Sequence, residues 1–156
     1  MDMLINLYNF DENTKNLNDE ILIKKALAPD QYKIVKFVKD NFGDSWASEC
    51  KCAFSNNPIT CFIAIRHRKI IGFACYDVTC KDFFGPMGVL EDFRKKGIGT
   101  VLLKKSLLSM KESGYAYAIV GSVGPTKFYE KEANAILIES SKHNKNVYSR
   151  MIEMEN

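Results

Sequence analysis

Between positions 87 and 100 the chain reads Met87-Gly88-Val89-Leu90-Glu91-Asp92-Phe93-Arg94-Lys95-Lys96-Gly97-Ile98-Gly99-Thr100. An extended apolar run passes through a short basic loop into a segment with helical spacing. The first amides of a helix lack intrahelical acceptors and carry partial positive charge, so they attract anions. Gly97 and Gly99 remove the side chains that would hold a phosphate away from those amides. Arg94, Lys95 and Lys96 add full charges beside the same spot. Together these residues describe a cradle for a diphosphate. Two other glycine loops are excluded. A P-loop ends in Gly-Lys-Ser/Thr, whereas here Lys96 precedes Gly97. A dinucleotide fingerprint needs a third glycine where this chain has Leu102.

With Arg94, Gly97 and Gly99 all in place, the segment resembles the acetyl-CoA motif Arg/Gln-x-x-Gly-x-Gly/Ala of the GNAT superfamily of N-acetyltransferases. Downstream, Phe128-Tyr129-Glu130-Lys131 is similar to that family's Phe-Tyr-Glu-Lys segment. Two stretches depart from the pattern. Gly121-Ser122-Val123-Gly124-Pro125 stands where an asparagine is frequent, and Glu132-Ala133-Asn134-Ala135 replaces a frequent Leu-Gly-Phe. The resemblance implies acetyl-CoA as cosubstrate, no metal, and direct transfer of the acetyl group to a primary amine on a small molecule or peptide. It implies that main-chain groups of Gly88 and Val89 meet the pantetheine arm, and that a backbone N–H there polarises the thioester carbonyl. The amides of Lys95, Lys96, Gly97, Ile98, Gly99 and Thr100 would hold the diphosphate. Tyr129 would give a proton to the departing thiolate, since a phenol near 10 and a thiol near 8.5 are close enough to exchange one.

An amine attacks a thioester only when neutral, so a nearby group must take its proton. Asp82, just before the apolar run 83–90, is the first choice, with Glu49 and Asp77 behind it; a water chain is the substitute. Two other functions compete. One is a catalytically silent module that binds acyl-CoA as a sensor or interaction domain. The other is a thiol-dependent acyltransferase using Cys75 or Cys80.

The surrounding pattern predicts the elements that hold this segment. Residues 3–10 alternate loosely and read as an edge strand, and 11–20 as a polar linker. Ile21 opens a strand. Pro29 opens a helix, because proline is tolerated in the first helical turn. Its apolar spacing (Ile34, Val35, Val38, Phe42) continues to a stop at Gly43, after which Asp44 or Ser45 caps a second helix carrying Trp46 and Glu49. Strands at 60–65 and 70–78 form a hairpin across the basic turn Arg66-His67-Arg68-Lys69. Gly85-Pro86 marks the strand at 83–90 as bulged or at an edge. A helix over 97–113, a strand over 117–120, a short helix over 125–131 and a strand over 135–139 follow, with Val147-Tyr148 as a final short strand. The order predicts an α/β (α+β by some schemes) single domain, a mixed, mostly antiparallel sheet with helices on both faces. Residues 1–20 read as an extension and 21–156 as the transferase domain.

Composition agrees. The 156 residues are 46% hydrophobic and 26% charged, enough to bury a core. Twenty-two Lys and Arg against nineteen Asp and Glu leave a formal +3, too slight for a nucleic-acid partner. No apolar run approaches the roughly 20 residues of a membrane helix. Asp2, with no basic segment before a long apolar stretch, argues against a secretory signal. The five cysteines (Cys50, Cys52, Cys61, Cys75, Cys80) have no zinc-finger spacing, and His67 and His143, both read as exposed, do not complete one. They read as reduced thiols in a cytoplasmic protein. Exposed edge strands add the expectation of a homodimer.

Overall fold

The computed structural model describes residues 1–142 and 145–154; His143 lies outside them. The elements run β1 (Asp2–Asn6), β2 (Ile21–Lys25), α1 (Gln31–Phe42), α2 (Asp44–Ala53), β3 (Cys61–Arg66), β4 (Lys69–Tyr76), β5 (Phe83–Val89), α3 (Ile98–Glu112), β6 (Tyr117–Val120), α4 (Thr126–Ala133) and β7 (Ile136–Ile138). The strands form one sheet in the order β2-β3-β4-β5-β6-β1-β7. Every neighbouring pair is antiparallel except β5 and β6, which are parallel.

Strand alternation divides the apolar side chains between two layers. On one face Met3, Ile5, Ala74, Phe84 and Ala118 pack with Leu102, Leu103, Leu107 and Met110 of α3 and with Tyr129 of α4. On the other, Ile63 and Phe73 pack under Ile34 and Val38 of α1 and Ala47 and Ala53 of α2. The result is the mixed, mostly antiparallel sheet with helices on both faces that the element order predicts.

Three local expectations need correcting, and a fourth, the bulge in β5, holds. β1 is not an edge strand: it lies between β6 and β7, and the edges are β2 and β7. Alternation shows which side chains face inward but carries nothing about which strands lie alongside. β5 is bulged, as Gly85-Pro86 suggested, yet it is internal. The ladder to β4 skips from Phe84 to Met87, so the missing N–H of Pro86 falls in the bulge and breaks no regular pair. α2 has no side-chain cap; Gly43, at φ +97°, turns the chain directly from α1 into α2. Val147-Tyr148 is not a strand but part of a 3-10 turn, Val147–Arg150, capped by the Asn146 side chain on the Ser149 amide.

The polar stretch 11–20 straps across α3. Lys104, only 7% exposed, donates to the Asp11 carboxylate and to the Asn13 carbonyl at 3.3 and 2.7 Å, and Lys111 pairs with Glu12. These contacts lower the Asp11 pKa, chiefly through the Asn13 amide and then Lys104. The strap reaches the start of α3, where Leu17 lies against Gly97.

Leu102, at 0% exposure, anchors α3 to the sheet. Leu102→Ala is expected to lower the unfolding free energy by about 2–5 kcal/mol. The half-exposed Leu22→Ala should change it by less than about 1 kcal/mol; urea midpoints of the two variants measure both.

Candidate active site

β5 and β6 are paired at two positions only, Phe83 with Ile119 and Phe84 with Val120. β6 ends there, while β5 continues to Val89 with β4 as its sole ladder partner among the described residues. Beyond Phe84, one side of β5 is therefore an open main-chain edge inside the sheet, the kind of edge an extended ligand can line. Gly88 sits on this stretch. A Cβ there would lie 2.6 Å from the Phe42 ring, so glycine is also demanded by packing from the α1 side. The Phe42 ring stacks on Trp46 at 5.7 Å and meets Phe73 at 5.5 Å, which closes that face. The Val89 carbonyl accepts the Arg94 Nε–H at 3.0 Å, bracing the loop that follows.

That loop delivers the chain to the start of α3. Gly97 takes a left-handed φ of +84°, natural only for glycine, and no side chain caps the helix. The first helical bond runs from the Val101 amide to the Gly97 carbonyl at 3.1 Å. The amides of Ile98, Gly99 and Thr100 thus have no intrahelical acceptor. Arg94, Lys95 and Lys96 are exposed, and among the described residues none pairs with a carboxylate. Phe93 is held between two cations, Arg66 at 5.9 Å and Lys96 at 5.2 Å, and Arg66 also pairs with Glu20. The basic hairpin turn therefore helps to fix the cradle loop.

The two sequence motifs meet in space. A Cβ on Gly99 would lie 3.8 Å from the Phe128 ring, an ordinary contact, so nothing in the fold demands glycine at this position. The adjacent Tyr129 is 7% exposed and packs edge-on against Phe84, the last residue of β5 paired with β6. Burial pushes its phenol up to about 12. Its hydroxyl makes no hydrogen bond to the described residues. A phenol at about 12 stands far above a thiol at about 8.5, so complete proton transfer to a thiolate is uphill by roughly 5 kcal/mol. A phenol held that high can donate a hydrogen bond while keeping its proton.

The carboxylates fall into two places. Asp82 stands at the start of β5, below the fork. Its amide donates to Asp77 Oδ1 at 2.8 Å, and its carbonyl accepts the Ile119 amide at 2.9 Å. Burial, then the Asp77 charge, raises its carboxyl. Asp77 also accepts the Tyr115 hydroxyl at 2.8 Å. Glu49 instead reaches from α2 to the other side of the fork. It accepts hydrogen bonds from the Thr79 hydroxyl and, at 3.2 Å, from Tyr148. The Tyr148 ring lies over Gly121, the first residue past β6, where a Cβ would come within 2.6 Å of it and 2.9 Å of Phe83. Tyr148 and Phe83 thus wall the fork on the α2 side, and burial pushes the Tyr148 phenol up to about 12. Sequence reasoning missed Tyr148; its only signal was an aromatic within a polar tail. Cys75 is wholly buried beneath α2, which leaves no approach for a thiol nucleophile; Cys80 is partly exposed.

Residues 57–132 match the family model described as an acetyltransferase (GNAT) domain. No curated protein matches the chain. A GCN5-related N-acetyltransferase from Sphaerobacter thermophilus superposes with a TM-score of 0.67 at 16% identity, over 86% of this chain and 47% of that one. A GCN5-related glucosamine N-acetyltransferase region of a fungal multi-domain GH3 β-N-acetylglucosaminidase gives 0.65 at 14% identity, over 85% of this chain and 19% of that one. A GNAT family acetyltransferase from Brucella melitensis, in complex with acetyl-CoA, gives 0.52 at 18% identity, over 71% and 82%. The chain spans less than half the length of the first two, and at these identities the likeness is one of fold.

Gly99→Ala provides a direct test of the cradle. The fold has room for the methyl, and alanine favours helix by up to about 1 kcal/mol, so the melting temperature should hold or rise. CoA affinity by calorimetry should nevertheless fall at least about tenfold, the loss of roughly one hydrogen bond to a charged group.

Proposed function

We propose that this chain is a GNAT acetyltransferase, as the match of residues 57–132 to that domain supports, and that it transfers an acetyl group from acetyl-CoA to a primary amine by direct attack. One observation carries the reading. The uncapped start of α3, ringed by three cations that have no carboxylate partner among the described residues, lies at the end of the open edge of β5. Amides and cations there complement a diphosphate. The edge of β5 up to Gly88 and Val89 offers main-chain groups to an amide-bearing pantetheine arm running alongside it. Acetyl-CoA, as substrate, supplies an activated thioester carbon.

The protein's own groups then divide the work. A main-chain N–H on the open edge polarises the thioester carbonyl as charge develops on oxygen. Tyr129, approaching from the α4 side, donates a hydrogen bond to the sulfur as it leaves. Glu49, on the α2 side with Thr79 and Tyr148 around it, draws in a cationic amine and takes its proton. No covalent link to the protein is needed. The wall of Tyr148 and Phe83 suits a small acceptor, and an amino sugar is the first to try, given the glucosamine named for the fungal region. A second reading makes Asp82 the base, favoured by its raised carboxyl.

Steady-state kinetics over an amine panel decides among these roles. Tyr129→Phe should lower kcat about 100-fold while leaving CoA affinity within about threefold. Because the phenol stays protonated to about 12, the loss should be equally large at pH 7 and pH 10. Glu49→Gln should lower kcat by a comparable factor, and Asp82→Asn by only a few-fold; the reverse order supports the second reading. Heat on CoA titration without transfer to any amine would mark a silent acyl-CoA-binding module.

A further inference from the structure

Three segments far apart in the chain bring hydroxyl groups and a carboxylate together at the fork: α2 with Glu49, the loop after β4 with Thr79, and the turn Val147–Arg150 with Tyr148. The Thr79 hydroxyl donates to Glu49 Oε1. Tyr148 donates to that same oxygen at 3.2 Å and to the Thr79 hydroxyl at 3.4 Å. Each hydroxyl carries one proton, so with Thr79 turned to Glu49 the Tyr148 proton ends on Oε1 either directly or through Thr79. Among the described residues Glu49 Oε2 accepts no hydrogen bond.

Each group is braced by its own segment. Glu49 stands beside Cys50 and one turn before Ala53, both 0% exposed, so its stretch of α2 is fixed on the sheet. The loop that carries Thr79 is closed at its base, where the Asp77 amide donates to the Phe83 carbonyl at 2.9 Å and the Asp82 amide to Asp77 Oδ1 at 2.8 Å. Tyr148 lies in the turn capped by Asn146, and its ring fills the space that a Cβ on Gly121 would need. Burial above all pushes its phenol up to about 12, so it remains a donor at any ordinary working pH. A glutamate side chain has three torsions, and a base acts only from the rotamer that meets the proton. A displacement of about 1 Å at a reacting group can cost roughly 100-fold in rate.

We propose that Tyr148 is a positioning residue for acetyl transfer: with Thr79 it holds Glu49 by Oε1 and leaves Oε2 as the oxygen that takes the proton of the amine. The inference rests on Glu49 as the base. The amine nitrogen bonds to the acetyl carbon, the bond to sulfur breaks, and the nitrogen's proton moves to Oε2 while both hydroxyls keep theirs. The acceptor side of the site is thus completed by a turn that follows every strand of the sheet.

Tyr148→Phe in the full chain keeps the ring over Gly121 and removes one oxygen. Acetyl transfer to glucosamine and to free lysine is followed by release of the CoA thiol. The Glu49 carboxylate band is isolated as the infrared difference between the parent protein and Glu49→Gln. The expected result is a shifted band and a fall in kcat of about tenfold, the scale of one hydrogen bond to a charged group. CoA affinity should stay within about twofold, and the melting temperature should hold. In the Glu49→Gln background the same Tyr148→Phe change should cost less than about twofold, because the hydroxyl then has no base to hold. The proposal is overturned if the band does not move, if kcat is unchanged, or if the loss is as large in the Glu49→Gln background. A parental rate in Glu49→Gln alone overturns the reading of Glu49 as the base, and this proposal with it. If neither amine is acetylated, the band decides: a shift supports the proposal and a fixed band overturns it.

Discussion

The early parting of β5 from β6 is the constraint on which the rest of the molecule depends. Two residue pairs join these strands, and after Phe84 they separate. A sheet normally satisfies its internal main-chain groups by pairing. Here the open edge of β5 lies inside the sheet, between layers of side chains that shelter it. The same bulge that accommodates Pro86 brings Phe84 and Met87 onto one face, so the strand can part from β6 while staying attached to β4. The loop after Val89 then has one place to go, the start of α3, and the charged cradle follows from that path.

The two faces of the sheet contribute opposite electrostatics at the fork. From the α3 and α4 side come exposed amides, cations and the phenol of Tyr129, all suited to an anionic carrier. From the α1 and α2 side come Glu49, Thr79 and Tyr148, suited to a cationic nucleophile. The sheet keeps the two sets apart except at the gap, which is where an acyl group would pass between them. Packing of Phe42 against Gly88 seals the same face further along β5, so the opening is confined to the region near Phe84 and Gly121.

How much of this was legible in the sequence follows from distance along the chain. The cradle was readable because strand, loop, glycines, cations and helix are contiguous, and each residue type has a local physical reason to be there. The elements of the core were readable for the same reason: periodicity is local. Strand neighbours were not, and β1 was placed at an edge because alternation carries no partner information. The approach of Phe128 to Gly99 and the seating of Tyr148 on Gly121 both join segments separated by tertiary folding. Tyr129 was found through its motif, but its raised pKa comes from burial that no spacing reveals.

The threading of β1 between β6 and β7 bears on the order in which the molecule assembles. Met3 pairs with Val120 on one side and Leu137 on the other, so both neighbours of the first strand are made more than a hundred residues later. Until they emerge from the ribosome, β1 has nothing to pair with, while the β2–β3–β4–β5 half can form from nearby hairpins. Contacts of such long sequence separation close slowly. The half that carries the open edge of β5 can therefore be organised while the far half of the sheet still waits for β1 to meet β6 and β7.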